Sequence, residues 1–206
     1  MSEEKSTLEL IHKAAKAEFL EKGFKSASLR NIVKTAGVTT GAFYGYYKSK
    51  EELFDALVGT KYDTFMRRYK EMQESFTQFT PQKQRDCIED VSRDCMGWMT
   101  DYAYENFEAF KMILCCSEGT RYENMIHEMV EIEIESTHAY LEVLRGLGMK
   151  IGSVDSYLEH MLVSGLFSSY FELIIHDVSY EKAKEYVFEL RRFHSAGWAE
   201  IMGCNL

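Results

Sequence analysis

The chain has 206 residues, 46% of them hydrophobic and 28% charged, with one proline and thirteen glycines, which excludes collagenous, proline-rich and linker-dominated architectures. Five cysteines without a Cys-x-x-Cys pair indicate neither a disulfide framework nor a structural zinc site. The net charge of −9 speaks against nucleic acid, but residues 1–50 hold nine Lys/Arg against five Asp/Glu, and the remainder fifteen against twenty-eight. A small basic module (1–50) on a larger acidic body (51–206) is therefore expected.

Helix signals follow one another along the chain, and strand signals are nearly absent, so an all-α fold of about nine helices is predicted. Ser6 and Glu9 have capping-box spacing, and Leu8, Ile11, Ala15 and Phe19 recur at helical intervals until Gly23 offers a stop. Ser28 can cap a short helix carrying Leu29, Ile32, Val33 and Ala36, which Gly37 ends. Thr39 opens a third short helix with Phe43 and Tyr47 on one face. Ser49 and Glu52 form a second capping box, heading a long helix through Tyr69. Thr80-Pro81 starts another, to about Tyr104. A shorter helix covers Phe107 to Cys116. A third capping box, Thr120 with Glu123, is expected to open a helix reaching the Gly146-Leu-Gly148 break. Helices headed by Ser156 and Ser179 complete the chain.

Two short helices joined across Ala36-Gly37-Val38, after a longer first helix, have the form of a helix-turn-helix. The stretch from Ser28 to Phe54, with its turn, its Phe43-Tyr44-Gly45-Tyr46-Tyr47 cluster and its Lys48-Ser-Lys-Glu-Glu-Leu53 run, resembles the N-terminal domain of the tetracycline-repressor (TetR/AcrR) family of bacterial transcription regulators. The resemblance covers residues 7–58, about a quarter of the chain. It implies an N-terminal three-helix DNA-binding domain and a larger helical domain for effector binding and dimerisation. It further implies DNA contact at Ser28, Arg30, Thr39, Thr40, Gly41, Tyr44, Tyr46 and Lys48.

The residues support that role on their own chemistry. A recognition helix needs small or polar residues at its N-terminal end to approach base edges in the major groove, and Thr39, Thr40, Gly41 and Ala42 have that profile. The hydroxyls of Tyr44 and Tyr46, the ammonium of Lys48 and the hydroxyl of Ser28 suit phosphate oxygens, while Arg30 can reach phosphate or a guanine edge. Plainer readings compete: Tyr46 as a packing residue, Lys50 as a solvated first-turn lysine, Ser28 as a helix cap only. Gly45 stands where the family has a bulkier residue and is expected to cost roughly 1 kcal/mol of helix stability relative to Ala.

In the acidic body, Trp98, Tyr102, Phe110, Met112, Cys116, Met125, Met129, Phe167 and Tyr170 make the middle helices rich in aromatic and flexible apolar side chains. Such residues line pockets for hydrophobic effectors and equally fill cores. Ser164, Gly165, Ser168 and Ser169 among Leu158, Met161, Leu162, Leu166 and Leu173, with Val187, Leu190, His194, Trp198 and Ile201 on the last helix, suit close helix approach. The resemblance implies that these helices build a homodimer interface, and packing within one chain would use the same stripe equally well. Glu135 and His138 have the Glu-x-x-His spacing of carboxylate-bridged metal sites, but a second such motif is missing. No nucleophile elbow or Gly-rich phosphate loop is present, so no catalytic residue, metal or cofactor is expected. No apolar run is expected to reach membrane-spanning length, and Met1 to Glu4 are acidic where a signal peptide is basic, which together predict a cytoplasmic protein without membrane contact.

The expected function is that of a repressor which binds a near-palindromic operator in double-stranded DNA as a dimer and is released by a small hydrophobic effector. A helical metal-dependent oxidoreductase using Glu135 and His138, and a helical adaptor that never meets DNA, are the rival readings.

Overall fold

The structure, a computed structural model, describes residues 6–203; the acidic Met1 to Glu4 segment and Cys204 lie outside them. Nine α-helices and no strand are found among the described residues. They are α1 (Thr7–Ser26), α2 (Leu29–Ala36), α3 (Thr40–Tyr44), α4 (Lys50–Thr77), α5 (Pro81–Glu105), α6 (Phe107–Cys116), α7 (Met125–Gly146), α8 (Ser156–Ile175) and α9 (Tyr180–Met202).

Local chemistry sets most of the helix starts. Ser6 Oγ accepts from Glu9 N–H while Glu9 Oε2 accepts from Ser6 N–H, the reciprocal box read from the spacing. Ser28, Thr39 and Ser179 each accept from an N–H three residues on. One start differs from expectation. The Thr120 hydroxyl donates to Ser117 O, and the Glu123 carboxylate accepts from Gly119 N–H, so that box folds into turns and α7 begins only at Met125. The cap of α8 is Asp155, whose carboxylate accepts from the N–H groups of Tyr157 and Leu158. At Gly23 the backbone leaves the helical region (φ 71°), but one further turn carries α1 on to Ser26.

The chain forms two compact units. The first comprises the residues up to Thr64 together with Asn106–Asn124, the second Phe65–Glu105 together with the chain from Met125. In the first, Ile11, Ala15, Phe19, Ile32, Phe43, Leu53 and Phe54 are buried, with Phe19 and Phe24 set edge-on against Phe54 at 5.0 and 5.3 Å. Helix α6 packs on α1 within this unit, with Phe110, Met112 and Ile113 buried. In the second, α7 packs against α8 and α5 against α9, around Tyr69, Met99, Met129, Phe167 and Phe171. A second cluster in that unit gathers Phe76, Tyr140, Leu141, Leu144 and Met202.

Contrary to expectation, one helix, α8, is long and apolar enough to cross a membrane by length and composition. It buries Val163, Phe167, Tyr170, Phe171 and Ile174 within the second unit.

Candidate nucleic-acid interface and internal cavity

The helix-turn-helix is held from beneath and left open above. Gly37 ends α2 in the left-handed conformation (φ 69°, ψ 24°) that only glycine adopts at no steric cost. Its N–H bonds Lys34 O, and Val38 N–H bonds Val33 O, closing the helix end and starting the sharp turn. Phe43, fully buried, anchors α3 to the core, and Tyr47 turns inward to hydrogen-bond His12 Nε2 on α1. Burial raises the Tyr47 hydroxyl pKa and, with Lys16 and Lys61 adding to it, lowers that of His12, so a phenol faces a neutral ring.

On the outer side lie Thr39, Thr40 and Gly41, all exposed, with open space around Gly41 except for Thr39 Oγ1 at 3.9 Å from an ideal Cβ. Tyr44 and Tyr46 are 53% and 50% exposed, which removes the packing reading of Tyr46. Gly45 is the C-cap of α3 rather than an interior residue, so the helix-interior cost expected of it does not arise. Ser28 does cap α2 (Asn31 N–H to Oγ, 3.4 Å), and its hydroxyl proton has no acceptor among the described residues.

The charges of this unit divide in a telling way. Lys16 pairs with Glu108, Lys25 with Glu118, Lys22 with Glu18, and Arg121 with Asp55 and Asp63. Arg30, Lys34 and Lys48 are exposed and have no ion-pair partner among the described residues. Lys34 on α2 was not singled out in the sequence, because a lone lysine on a short helix carries no signal of its own.

Two further side chains that position this surface went unread. Lys50, expected to be solvated, donates to the carbonyl oxygens of Phe24 (2.6 Å), Lys25 (3.2 Å) and Ala27 (3.1 Å), and its ammonium lies 4.6 Å from the Phe24 ring centroid. The buried Glu18 accepts from Ser28 N–H at 2.9 Å and from Lys22 Nζ at 3.0 Å. The bond from Ser28 chiefly holds the Glu18 carboxyl below its ordinary range; burial opposes this and Lys22 adds to it. A carboxyl made more acidic by folding contributes stability above its unfolded pKa, near 4.5, and that contribution is lost as pH falls through the folded value. Glu18→Gln is therefore expected to cost about 1 kcal/mol at neutral pH. Urea melts should show the difference from the parent protein closing as pH is taken to about 3; a difference constant with pH would mean that the charge is not what matters.

The connection after α6 is clamped in the same unit. Arg121 bonds both Asp55 and Asp63 on α4 and lies 4.5 Å from the Tyr122 ring, and Tyr122 donates to Asp55. Gly59 leaves room for this, since a Cβ there would lie 2.9 Å from the Tyr122 hydroxyl.

The second unit encloses a cavity of about 200 Å³ between α4, α5, α7 and α8. Met72, Phe76, Met96, Met99, Leu166 and Phe167 supply apolar wall, and Tyr69, Gln73 and Glu133 a polar corner. Tyr69 Oη and Gln73 Nε2 donate to Glu133 Oε2 at 2.6 and 2.7 Å. Burial and the neighbouring Glu133 push the Cys95 thiol up to about 12. Of the residues expected to line a pocket, Phe167 is on this wall. Trp98 and Tyr102 stack beside Phe65 (5.5 and 6.2 Å), and Tyr170 meets Thr100 Oγ1 at 3.1 Å. Met125 and Met129 are buried within the second unit, and Phe110, Met112 and Cys116 within the first.

The pair proposed for a metal is not assembled as one. His138 Nε2 lies 2.8 Å from Glu159 Oε2, and among the described residues no group of three or more His, Cys, Asp or Glu is arranged to hold an ion.

Residues 11–57 match the family model of bacterial regulatory proteins, tetR family. Over 67 residues the chain is 36% identical to the HTH-type transcriptional repressor KstR2 of Mycobacterium tuberculosis, a match covering 32% of this chain and 33% of that one. It thus spans about a third of the length of that curated relative. In backbone it is similar to a transcriptional regulator from Aquifex aeolicus VF5 (TM-score 0.53, 22% identity, covering 91% of this chain and 97% of that one). It is also similar to FadR from Bacillus subtilis, solved in complex with stearoyl-CoA (TM-score 0.55, 15% identity, covering 92% and 98%). At these identities the structural likeness establishes a common fold.

Proposed function

We propose, on the match of residues 11–57, that the chain is a member of the TetR family of bacterial regulatory proteins and acts as a cytoplasmic, non-enzymatic transcriptional repressor. In this reading a homodimer binds a near-palindromic operator and is released by a small hydrophobic effector. Residues 1–50 bind DNA, and residues 51–206 provide the effector and dimer functions.

The observation that carries the reading is the outer side of the helix-turn-helix, where exposed Thr39, Thr40 and Gly41 stand beside two half-exposed tyrosines and cations left without an internal partner. Small residues at the head of α3 admit it to the major groove, and Ser28, Arg30, Tyr44, Tyr46 and Lys48 serve as phosphate and base contacts. Dimerisation is supported by apolar surface left open on the last two helices: Tyr157 and Met161 on α8 are 82% and 69% exposed, and Phe193 on α9 is 74% exposed. Val187 and Leu173, expected in the seam, are instead buried within their own unit, and the seam is assigned to Met161, Gly165, Phe193 and Ile201.

A hydrophobic effector is supported by the apolar cavity. No Lys, Arg or His lies on the cavity wall, so it does not suit a phosphate group. Effector binding would shift the population toward a form with lower operator affinity.

The test is an electrophoretic shift assay on an inverted repeat from upstream DNA, run across a salt series. Lys48→Ala is expected to weaken binding to all sequences alike and to reduce the salt slope by about one. A loss confined to one base position would give Lys48 a reading role instead, and a parent protein that never shifts duplex DNA would favour the adaptor.

A further inference from the structure

The cavity of the second unit is apolar on nearly all sides, yet one carboxyl group stands on its wall. Among the residues that wall it, Glu133 alone is ionisable to a full charge at neutral pH. Its two hydrogen bonds, from Tyr69 and Gln73, both go to Oε2 and both come from neutral donors. Oε1 has no partner among the described residues. Among the described residues no fully enclosed side-chain oxygen or nitrogen lacks a partner, so Oε1 meets open space, and Glu133 lines both this cavity and the wider cleft beside it. Burying a carboxylate with neutral donors only is costly, and the cost falls when a cation arrives.

From this arrangement we infer that the ligand of this cavity is an apolar molecule carrying one protonated amine, seated with its ammonium on Glu133 Oε1. The inference deepens the effector reading and rests on it for its regulatory meaning. A ligand without a donor would leave Oε1 unpaired and an alcohol would offer it one uncharged donor, whereas an anion would meet like charge in a cavity whose own wall has no Lys, Arg or His; Arg191, Arg192 and His194 stand only on the wider cleft beyond it. The size agrees, since a dry cavity of about 150 Å³ holds a benzene ring and this one measures about 200 Å³. Glu133, Met96 and Leu166 also border a wider cleft that reaches Phe188 and Trp198 on α9, so the carboxylate stands where the enclosed cavity opens. A ring or short alkyl group fills the closed end, and the amine lies at its mouth. The match is a small aryl-alkyl amine.

Three compounds of one shape separate charge from apolar fit: 4-phenylbutylamine, 4-phenylbutanol and 4-phenylbutyrate. Calorimetric titration of the full chain is expected to give the amine at least about tenfold tighter binding than the alcohol, with the carboxylate weakest. Glu133→Gln, which keeps an acceptor for Tyr69 and Gln73, should bring amine and alcohol to within about twofold while leaving the alcohol unchanged. Met96→Trp, which fills the cavity, should abolish binding of all three. If the parent protein binds alcohol or carboxylate as tightly as the amine, or binds none, the assignment is overturned whatever the variants do. If the amine binds preferentially but DNA stays bound at saturation, the ligand class stands and the effector reading fails.

Discussion

Replacing Gly165 with tryptophan is expected to leave each chain folded and to weaken operator binding severely. Gly165 is exposed on α8, and a Cβ built there meets nothing within 4 Å, so the indole has room within its own chain. The same side chain placed in a helix seam holds the two backbones apart and removes the close contact on which packing depends. One head on one half-site retains only the affinity of that half-site. The loss should be roughly 10²-fold or more, as expected when a linked second contact is removed. Light scattering and a DNA shift assay on the same sample check both halves. A variant still dimeric at low micromolar concentration would move the seam away from Gly165.

Lys50→Met should have the largest effect on the stability of the first unit, about 2–3 kcal/mol. The substitution keeps an apolar stem of similar length but removes the ammonium that satisfies the carbonyls of Phe24, Lys25 and Ala27. Those carbonyls close α1 after the break at Gly23 and lead directly into Ser28. Orphaned acceptors at a helix end cost more than a bond never made, because their desolvation is no longer offset. Urea unfolding of the purified variant reads the stability, and DNA binding should fall with it as the Ser28 end of α2 loosens. If stability is unchanged, water replaces the ammonium and Lys50 is the ordinary surface lysine that its spacing suggested.

The contrast between these two residues shows where sequence reading succeeds. Caps at Ser6, Ser28, Thr39 and Ser179, the turn at Gly37 and the exposed head of α3 were legible because each depends on neighbours three or four residues away. Local geometry alone brings such partners together. The failures share a different cause. Thr120 and Glu123 have the spacing of a cap but spend their side chains on Ser117 and Gly119, in a connection pinned by Arg121 to Asp55 and Asp63.

Helical class, the helix-turn-helix, the basic head and its outward polar residues all follow from periodicity, capping and charge, which act over a few residues. Which cations stay free, that Glu18 holds Ser28, and that Glu133 faces a cavity with Tyr69 and Gln73 were decided only by the fold. Those partners lie 10 and 60–64 residues apart. No short-range rule joins such groups. They meet because burial of residues such as Phe19, Phe43, Phe54, Met99 and Phe167 offsets the entropy of closing the chain between them. The same packing leaves Phe110, Met112 and Cys116 as core and hands the cavity wall to methionines that composition could not tell apart from filling.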